Sequence, residues 1–202
     1  DLNGSFPPFS VEQAPMTDSY TIEEQDGSFD WTAPGTPTWV GDEMEWSLEF
    51  GFTFPFFGQQ YTEARVGDNG YIVFGTGSPN PKWDATEENF VAQIMIAPFW
   101  NDLLISTSYP DTGVFVYPDN DSVVVRWRGR DYHSVGDVIN IAATLHCDGR
   151  IAFHYGDIQT TNRVVIGISD GRASAAHVLY THNYTPSNPI YVEGWDHHDD
   201  VL

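Results

Sequence analysis

Carboxylates are the most abundant chemically active side chains of this chain. Asp and Glu number 29, whereas Lys and Arg number 8, so the formal net charge is −21. Carboxylate and amide oxygens in turns are ligands that Ca²⁺ prefers. The sequence predicts no cofactor, with Ca²⁺ at the acidic turns as the one candidate ion. The candidate ligands are Asp68, Asn69, Asp119 and Asp121. None has EF-hand spacing, and the alternative is that they only shape turns, because Asp and Asn tolerate left-handed backbone conformations.

Three of the eight basic residues alternate along one short segment, at Arg126, Arg128 and Arg130. Residues two apart on a β-strand point to the same face, so this spacing predicts a stripe of guanidinium groups. Such a stripe could bind acidic glycans or the acidic surface of a partner, because guanidinium groups pair with carboxylates in a bidentate manner. The alternative, which the excess of Asp and Glu favours, is that these arginines pair with the protein's own carboxylates.

Two tryptophans, Trp83 and Trp195, lie in segments that read as loops rather than strands. Aromatic rings at a protein surface offer a large apolar face with one polar group, which suits stacking on sugars. These two residues therefore predict a glycan-binding platform. The alternative is that they pack in the core, as the tryptophans of the more regular segments are expected to do.

The sequence predicts a non-enzymatic protein. It contains no nucleophile elbow, zinc-protease motif, phosphate-binding loop or dinucleotide fingerprint. Cys147 is the only cysteine, which rules out an intrachain disulfide, and only Arg150 is nearby to lower its pKa. A pair of carboxylates for glycoside cleavage stays open as an alternative among so many acids.

The strongly acidic charge disfavours two classes of partner. Binding to nucleic acid needs Lys or Arg at each phosphate contact, and an anionic membrane surface attracts basic segments. No apolar run reaches the roughly 18–20 residues that span a bilayer, and no cleavable signal peptide is present. Because the sequence begins at Asp1, we expect a mature or excised product of a secreted protein. Secretion would make Asn3, Asn120 and Asn183 candidate glycosylation sites.

The elements that must position these residues are short strands. Apolar residues alternate in short runs between turns rich in the 18 Gly and 13 Pro, which predicts an all-β, antiparallel β-sandwich. One short helix is expected at residues 85–90, capped by Asp84 or Thr86. The length of 202 residues suits a single large domain.

The clearest turn is Asp148-Gly149, which lies between two strand-like runs. A two-residue turn there would pair His146 with Ile151 and His154 with Ala143. The two histidines would then point to opposite faces of the sheet and could not share a metal ion.

The first 40 residues differ in composition from the rest. Residues 1–40 are rich in Pro, Ser, Thr and acids and predict an extended N-terminal arm, whereas residues 41–202 predict the sandwich. The arm residues best suited to packing are Tyr20, Ile22, Phe29 and Trp31. The arm could add a strand to a neighbour's sheet and build an open polymer of this chain. The alternative is that the arm folds back on its own domain.

Five sequence blocks occur in a distinctive order and spacing. They are residues 50–62 (FGFTFPFFGQQYT), 66–75 (VGDNGYIVFG), 96–103 (IAPFWNDL), 123–127 (VVVRW) and 145–158 (LHCDGRIAFHYGDI). In this arrangement the chain resembles the nidogen-like (NIDO) extracellular domain and its bacterial secreted and surface relatives.

The resemblance implies an extracellular, β-rich module of adhesive or matrix-associated proteins, and it carries over no catalytic residue. We therefore predict a non-enzymatic extracellular structural or adhesive module at the cell surface, as a self-assembling subunit or bound to other extracellular proteins. The alternative function is a glycan-binding or Ca²⁺-dependent ligand-binding module.

Overall fold

The protein is an antiparallel β-sandwich, as predicted. The structure is a computed structural model and describes residues 20–25, 30–32, 34–158, 160, 163–172, 177–180 and 192–196. The elements in chain order are β1 (Thr21–Gln25), β2 (Glu45–Phe56), β3 (Gln59–Gly67), β4 (Tyr71–Val73), α1 (Glu87–Val91), β5 (Ile94–Trp100), β6 (Leu103–Leu104), β7 (Gly113–Pro118), β8 (Ser122–Asp131), β9 (Ser134–His146), β10 (Ile151–Ile158), β11 (Val165–Asp170), β12 (His177–Tyr180) and β13 (Val192–Asp196).

Within the described ranges these strands form two sheets. The first sheet has seven strands in the order β1-β13-β10-β9-β8-β6, with β7 also pairing with β8. The second sheet has six strands in the order β12-β11-β5-β4-β3-β2. All pairings are antiparallel.

The core lies between the sheets because alternate residues of each strand point inward. On β8, Val123, Val125 and Trp127 are fully buried against the second sheet. The Trp127 indole donates a hydrogen bond of 2.7 Å to the Gly67 carbonyl at the end of β3, which ties the two sheets together. The largest apolar members of this core are Tyr20, Phe50, Phe54, Phe56, Phe57, Phe74, Phe99, Trp127 and Phe153. Burial of each such side chain contributes about 1.5–3 kcal/mol.

A smaller apolar cluster covers the outer face of the second sheet. Tyr71, Met95 and Trp100 point away from the main core and pack with Phe90 of helix α1. The predicted short helix is thus confirmed, and Thr86 is its N-cap, accepting a hydrogen bond of 3.2 Å from the Asn89 amide. No helix among the described residues is long and apolar enough to cross a membrane.

The predicted register of the β9–β10 hairpin is wrong by one residue. His146 bonds with Arg150 through their backbone groups, so the loop has three residues and Gly149 adopts a left-handed φ of 94°. His154 consequently pairs with Ala142 rather than with Ala143. This shift places His146 and His154 on the same outer face of the first sheet, contrary to the prediction.

The described residues of the N-terminal segment lie on the domain itself. Strand β1 pairs with β13 of the same chain, and the Tyr20 ring packs edge-on against Phe57 with centroids 5.0 Å apart. Farther along, Trp39 pairs with Val114 at the free side of β7 and stacks on Trp46. This is the folded-back arrangement, the second of the two alternatives that the sequence left open. Ile22 lies in β1, whereas Phe29 falls outside the described residues.

Candidate functional site

One end of the sandwich brings together four turns that carry carboxylates, and we call it the acidic end. Its carboxylate residues are Asp42, Glu43, Asp68, Asp102 and Asp131. Backbone hydrogen bonds join its turns: the Asp68 amide donates to Met44, the Asn101 amide to Asn69, and the Tyr132 amide to Asp102. The sequence separation of these turns is why inspection of single turns did not group them.

Asp68 is fully buried and supports the turn before β2. Its carboxylate accepts hydrogen bonds from the backbone amides of Glu43 (2.8 Å) and Met44 (3.1 Å). Glu43 has a φ of 58°, a left-handed conformation that a residue other than glycine adopts only with support from its surroundings. Burial raises the pKa of Asp68 to about 8, and the negative charges of Glu43 and Asp42 contribute to this increase.

Asn69 and Gly70 lock this turn to the end of β5. The Asn69 amide oxygen accepts a hydrogen bond of 2.7 Å from the Leu103 amide, and its backbone carbonyl accepts one of 3.2 Å from Asn101. Gly70 has a φ of 78°, and a Cβ at this position would lie 2.2 Å from the Phe99 carbonyl oxygen. This close approach holds the Asp-Asn-Gly turn against the Phe-Trp-Asn-Asp segment.

The other carboxylates of the acidic end influence one another. Burial raises the pKa of Glu43, and the nearby charges of Asp102 and Asp42 raise it further. Burial also raises the pKa of Asp102, although His133, whose ring nitrogen lies 3.9 Å from the carboxylate, opposes this increase. The Lys82 ammonium group donates to the Glu43 carbonyl at 3.0 Å and supplies one positive charge. The acidic end is therefore a cluster of carboxyl groups that influence one another's pKa and that backbone hydrogen bonds hold together.

The four predicted Ca²⁺ ligands do not meet in space. Asp68 and Asn69 lie at the end of β8 that contains Asp131, whereas Asp119 and Asp121 lie in the turn before the opposite end of this ten-residue strand. Asp119 caps its own turn by accepting a hydrogen bond from the Asn120 amide. In the described part of the chain, no group of three or more His, Cys, Asp or Glu side chains could hold a metal ion. The assignment of Ca²⁺ stays a prediction.

The arginines of β8 share one outer face, and each contacts acceptors of its own chain. Arg126 is only 2% exposed and donates to Asn140 and to the Thr32 carbonyl, both at 3.0 Å. The Trp31 ring covers its guanidinium group at 5.1 Å, and burial lowers the pKa of Arg126. This contact shows what the arm residue Trp31 does in the folded chain. Binding of a ligand to Arg126 stays a prediction.

The other two arginines converge on one carboxylate. Arg130 donates to both oxygens of Asp111 at 3.0 and 2.9 Å, and Arg128 approaches the same carboxylate at 3.7 Å. The positive charge of Arg130 lies 5.1 Å from the centre of the Tyr109 ring. Both arginines therefore pair with a carboxylate of their own chain, which is the alternative given in the sequence analysis. A role of these arginines in ligand binding stays a prediction.

The two candidate tryptophans occupy different environments. Trp83 lies in the loop before α1 with half of its surface exposed, as a sugar platform requires. Trp195 is not in a loop: it belongs to β13, opposite Ile22 on one side and Ile151 on the other. The segment around it was difficult to interpret because its partner strands are distant in sequence. Asn120 lies in an exposed turn, whereas Asn3 and Asn183 are outside the described residues.

A second surface was missed by inspection of the sequence, and we call it the edge pocket. It is an open cavity of about 400 Å³ beside strand β2, lined by Glu49, Gly51, Phe52, Thr53, Thr62 and Glu63. The signal in the sequence was Gly51, because a glycine inside a strand pattern often marks a bulge. Gly51 does adopt a left-handed φ of 77° at such a bulge.

Comparison with known families finds a match over most of the chain. The model of the family described as NIDO related matches residues 19–193, which run from the start of β1 into β13. The chain belongs to the NIDO-related family. The match covers both sheets of this NIDO-related domain as well as the acidic end and the edge pocket. No solved structure matches the chain.

Membership of the NIDO-related family confirms the resemblance found in the five sequence blocks. It supports an extracellular module of the nidogen type and, together with the all-β fold, points to a module without catalytic activity.

Proposed function

We propose that this NIDO-related domain is a structural or adhesive module of the extracellular space that acts through its surfaces. The family match over both sheets is the observation that carries this proposal. The geometry of the acidic end supports it, because Asp68 and Asn69 accept backbone hydrogen bonds that hold loops together. These are roles in building a frame, whereas a catalytic group must contact substrate.

The more specific proposal is that copies of the chain join by exchanging strand β1. This strand lies at the end of the first sheet and pairs with β13, so it can leave without breaking any other described strand pair. Tyr20 precedes it and is only 5% exposed among core aromatic rings. The same ladder and the same ring contact could form with a neighbouring copy, as in other cases of strand addition.

Paired cysteines would test the exchange directly. In a Cys147→Ser background, Glu23→Cys and Gly194→Cys introduce thiols at positions that face each other in the β1–β13 ladder. Oxidation of an exchanged assembly links neighbouring chains, so a ladder of disulfide-linked species is expected on a non-reducing gel. The matched control is Ser122→Cys with His146→Cys, which joins β8 to β9 inside one chain.

Each result of this experiment has a definite meaning. A ladder for the β1–β13 pair, with only monomer for the control pair, supports exchange of β1. Only intrachain disulfides in both variants would reject it, provided that sedimentation detects assemblies before oxidation. A chain that sediments as a monomer at every concentration would also reject self-assembly, without bearing on a monomeric adhesive role.

The second candidate function is glycan binding, which the half-exposed ring of Trp83 favours. A glycan array with the wild-type chain and with Trp83→Ala would test it, and loss of binding in the variant is expected. The matched control is Tyr132→Ala, which removes another half-exposed ring. Equal binding by all three proteins would reject Trp83 as the platform.

For Ca²⁺, melting with and without a chelator would test whether an ion stabilises the fold.

A further inference from the structure

Strand β2 is the free edge of the second sheet and carries a large bulge. Among the described strands it pairs only with β3, so its other side presents backbone groups without a strand partner. The Tyr20 hydroxyl contacts one β2 carbonyl, that of Pro55, which does not line the edge pocket. The ladder pairs Glu49 with Glu63 and resumes with Phe54 opposite Tyr61. Four residues of β2 therefore face the single residue Thr62 of β3. This bulge creates the edge pocket at the rim of the sheet.

The groups that line the edge pocket suit a cation. Glu49 and Glu63 are exposed and lie directly opposite each other, an arrangement that is unfavourable for like charges. Thr53 and Thr62 add hydroxyl oxygens that can accept hydrogen bonds. The half-buried Phe52 ring supplies an aromatic wall, on which a guanidinium group can stack. The edge pocket contains no basic side chain.

The protein's own basic residues are already engaged, so a second copy is a poor source for that cation. Every Lys and Arg of the chain contacts an oxygen of the same chain. The pairs are Arg65 with Glu45, Lys82 with the Glu43 carbonyl, Arg126 with Asn140, Arg128 and Arg130 with Asp111, Arg150 with Asp148, Arg163 with Asp84, and Arg172 with Asp170.

We propose that the β2 edge binds an extended, arginine-bearing segment of a different protein. The backbone of that segment pairs with the free side of β2, and one arginine enters the edge pocket between Glu49 and Glu63. The cavity of about 400 Å³ lies within the range of small-ligand sites and is ample for one side chain. Backbone pairing supplies affinity, and the two carboxylates supply the preference for a basic residue. This inference concerns a different surface from β1 and does not depend on strand exchange.

A pair of synthetic peptides would test the proposal. The probe is acetyl-TVTRTVT-amide, a strand former whose only charged residue is the central arginine, and the control peptide carries Glu in place of that Arg. Each is titrated into the full ¹⁵N-labelled chain while backbone amide signals are recorded. The arginine peptide is expected to shift signals of residues 45–54 and 59–67, and added salt is expected to weaken its binding.

Matched variants separate the edge pocket from the general charge of the protein. Glu49→Gln with Glu63→Gln is expected to weaken binding of the arginine peptide by about tenfold or more. Asp119→Asn with Asp121→Asn changes the net charge equally but lies in the other sheet, and it is expected to leave binding unchanged. Equal weakening by both variants would mean nonspecific attraction and would overturn the proposal.

Three other results would also overturn it. These are equal binding of the glutamate peptide, the absence of shifts at millimolar peptide, and shifts outside β2 and β3. If the same signals move with protein concentration in the absence of peptide, the edge is an interface between copies, and the proposed partner is wrong.

Discussion

Replacement of Gly70 by alanine tests the lock between the Asp-Asn-Gly turn and β5. Gly70 has a φ of 78°, and a Cβ there would lie 2.2 Å from the Phe99 carbonyl oxygen. The chain offers two matched controls, Gly51 and Gly75, which have φ values of 77° and 68° with no heavy atom within 4 Å of a built Cβ. All three substitutions share the cost of a left-handed alanine, and only Gly70→Ala adds a clash.

The magnitude follows from these distances. A left-handed alanine costs about 1–2 kcal/mol, which is the whole effect expected for Gly51→Ala and Gly75→Ala. At Gly70 the clash must be relieved by separating the turn from β5, which strains the hydrogen bonds that Asn69 accepts from the Asn101 and Leu103 amides. Loss of one buried hydrogen bond costs about 1–3 kcal/mol. We therefore expect Gly70→Ala to lower the free energy of unfolding by about 2–5 kcal/mol in all.

Urea unfolding followed by tryptophan fluorescence measures this difference. The seven tryptophans provide the signal, and unchanged m-values would show that the variants unfold in the same way. Gly70→Ala is expected to lose about 2 kcal/mol more than either control. Equal losses in the three variants would refute the lock, because they would mean that the turn and β5 separate without cost.

Three further predictions concern charge. A double-mutant cycle with Glu49→Gln and Glu63→Gln, measured by urea unfolding, tests the repulsion between the two opposed carboxylates. The expected coupling free energy is about 0.2–1 kcal/mol, and zero coupling would contradict the contact between Glu49 and Glu63. Because the pKa of Asp68 is raised to about 8, its contribution to stability is present below pH 4 and is lost as pH rises through 8. Asp68→Asn is expected to be less stable at pH 4, but its free energy of unfolding should fall by up to about 5 kcal/mol less than that of the wild type between pH 4 and pH 8. Parallel stability–pH profiles of the two proteins would contradict this. Burial lowers the pKa of His154 to about 4, so the free energy of unfolding decreases as pH falls from 6.5 through 4. His154→Gln, whose amide can still bond to Thr144, is expected to remove up to about 3 kcal/mol of this decrease. An unchanged acid unfolding transition in the variant would contradict this role of His154.

Local patterns predicted the features that depend on neighbouring residues. The alternation around Trp127 placed its neighbours Arg126 and Arg128 on one common face, because relative side-chain direction on a strand follows from spacing alone. Likewise, Thr86 was recognised as a candidate cap of helix α1 from the residues that follow it. The sandwich itself followed from many such short alternating runs.

The features that were missed depend on contacts between distant segments or on the exact geometry of a turn. The Asp148-Gly149 pair suited a two-residue turn, but the chain adopts a three-residue loop, and that one-residue change reversed the predicted relation of His146 and His154. Asn69 was interpreted as a turn residue or metal ligand, whereas its partner Leu103 lies 34 positions away. The opposition of Glu49 and Glu63 likewise depends on the position of the bulge.

The distribution of the basic side chains also bears on where proteases can cut the protein. Trypsin-like proteases cut after Lys or Arg, and here all such residues lie between Arg65 and Arg172. Four of the eight, Arg65 and the three arginines of β8, lie inside strands, so a protease can reach them only when the sandwich opens. The long acidic ends contain no such site. The other four, Lys82, Arg150, Arg163 and Arg172, lie outside the strands, so the first cuts in the folded domain are expected there rather than in its acidic ends.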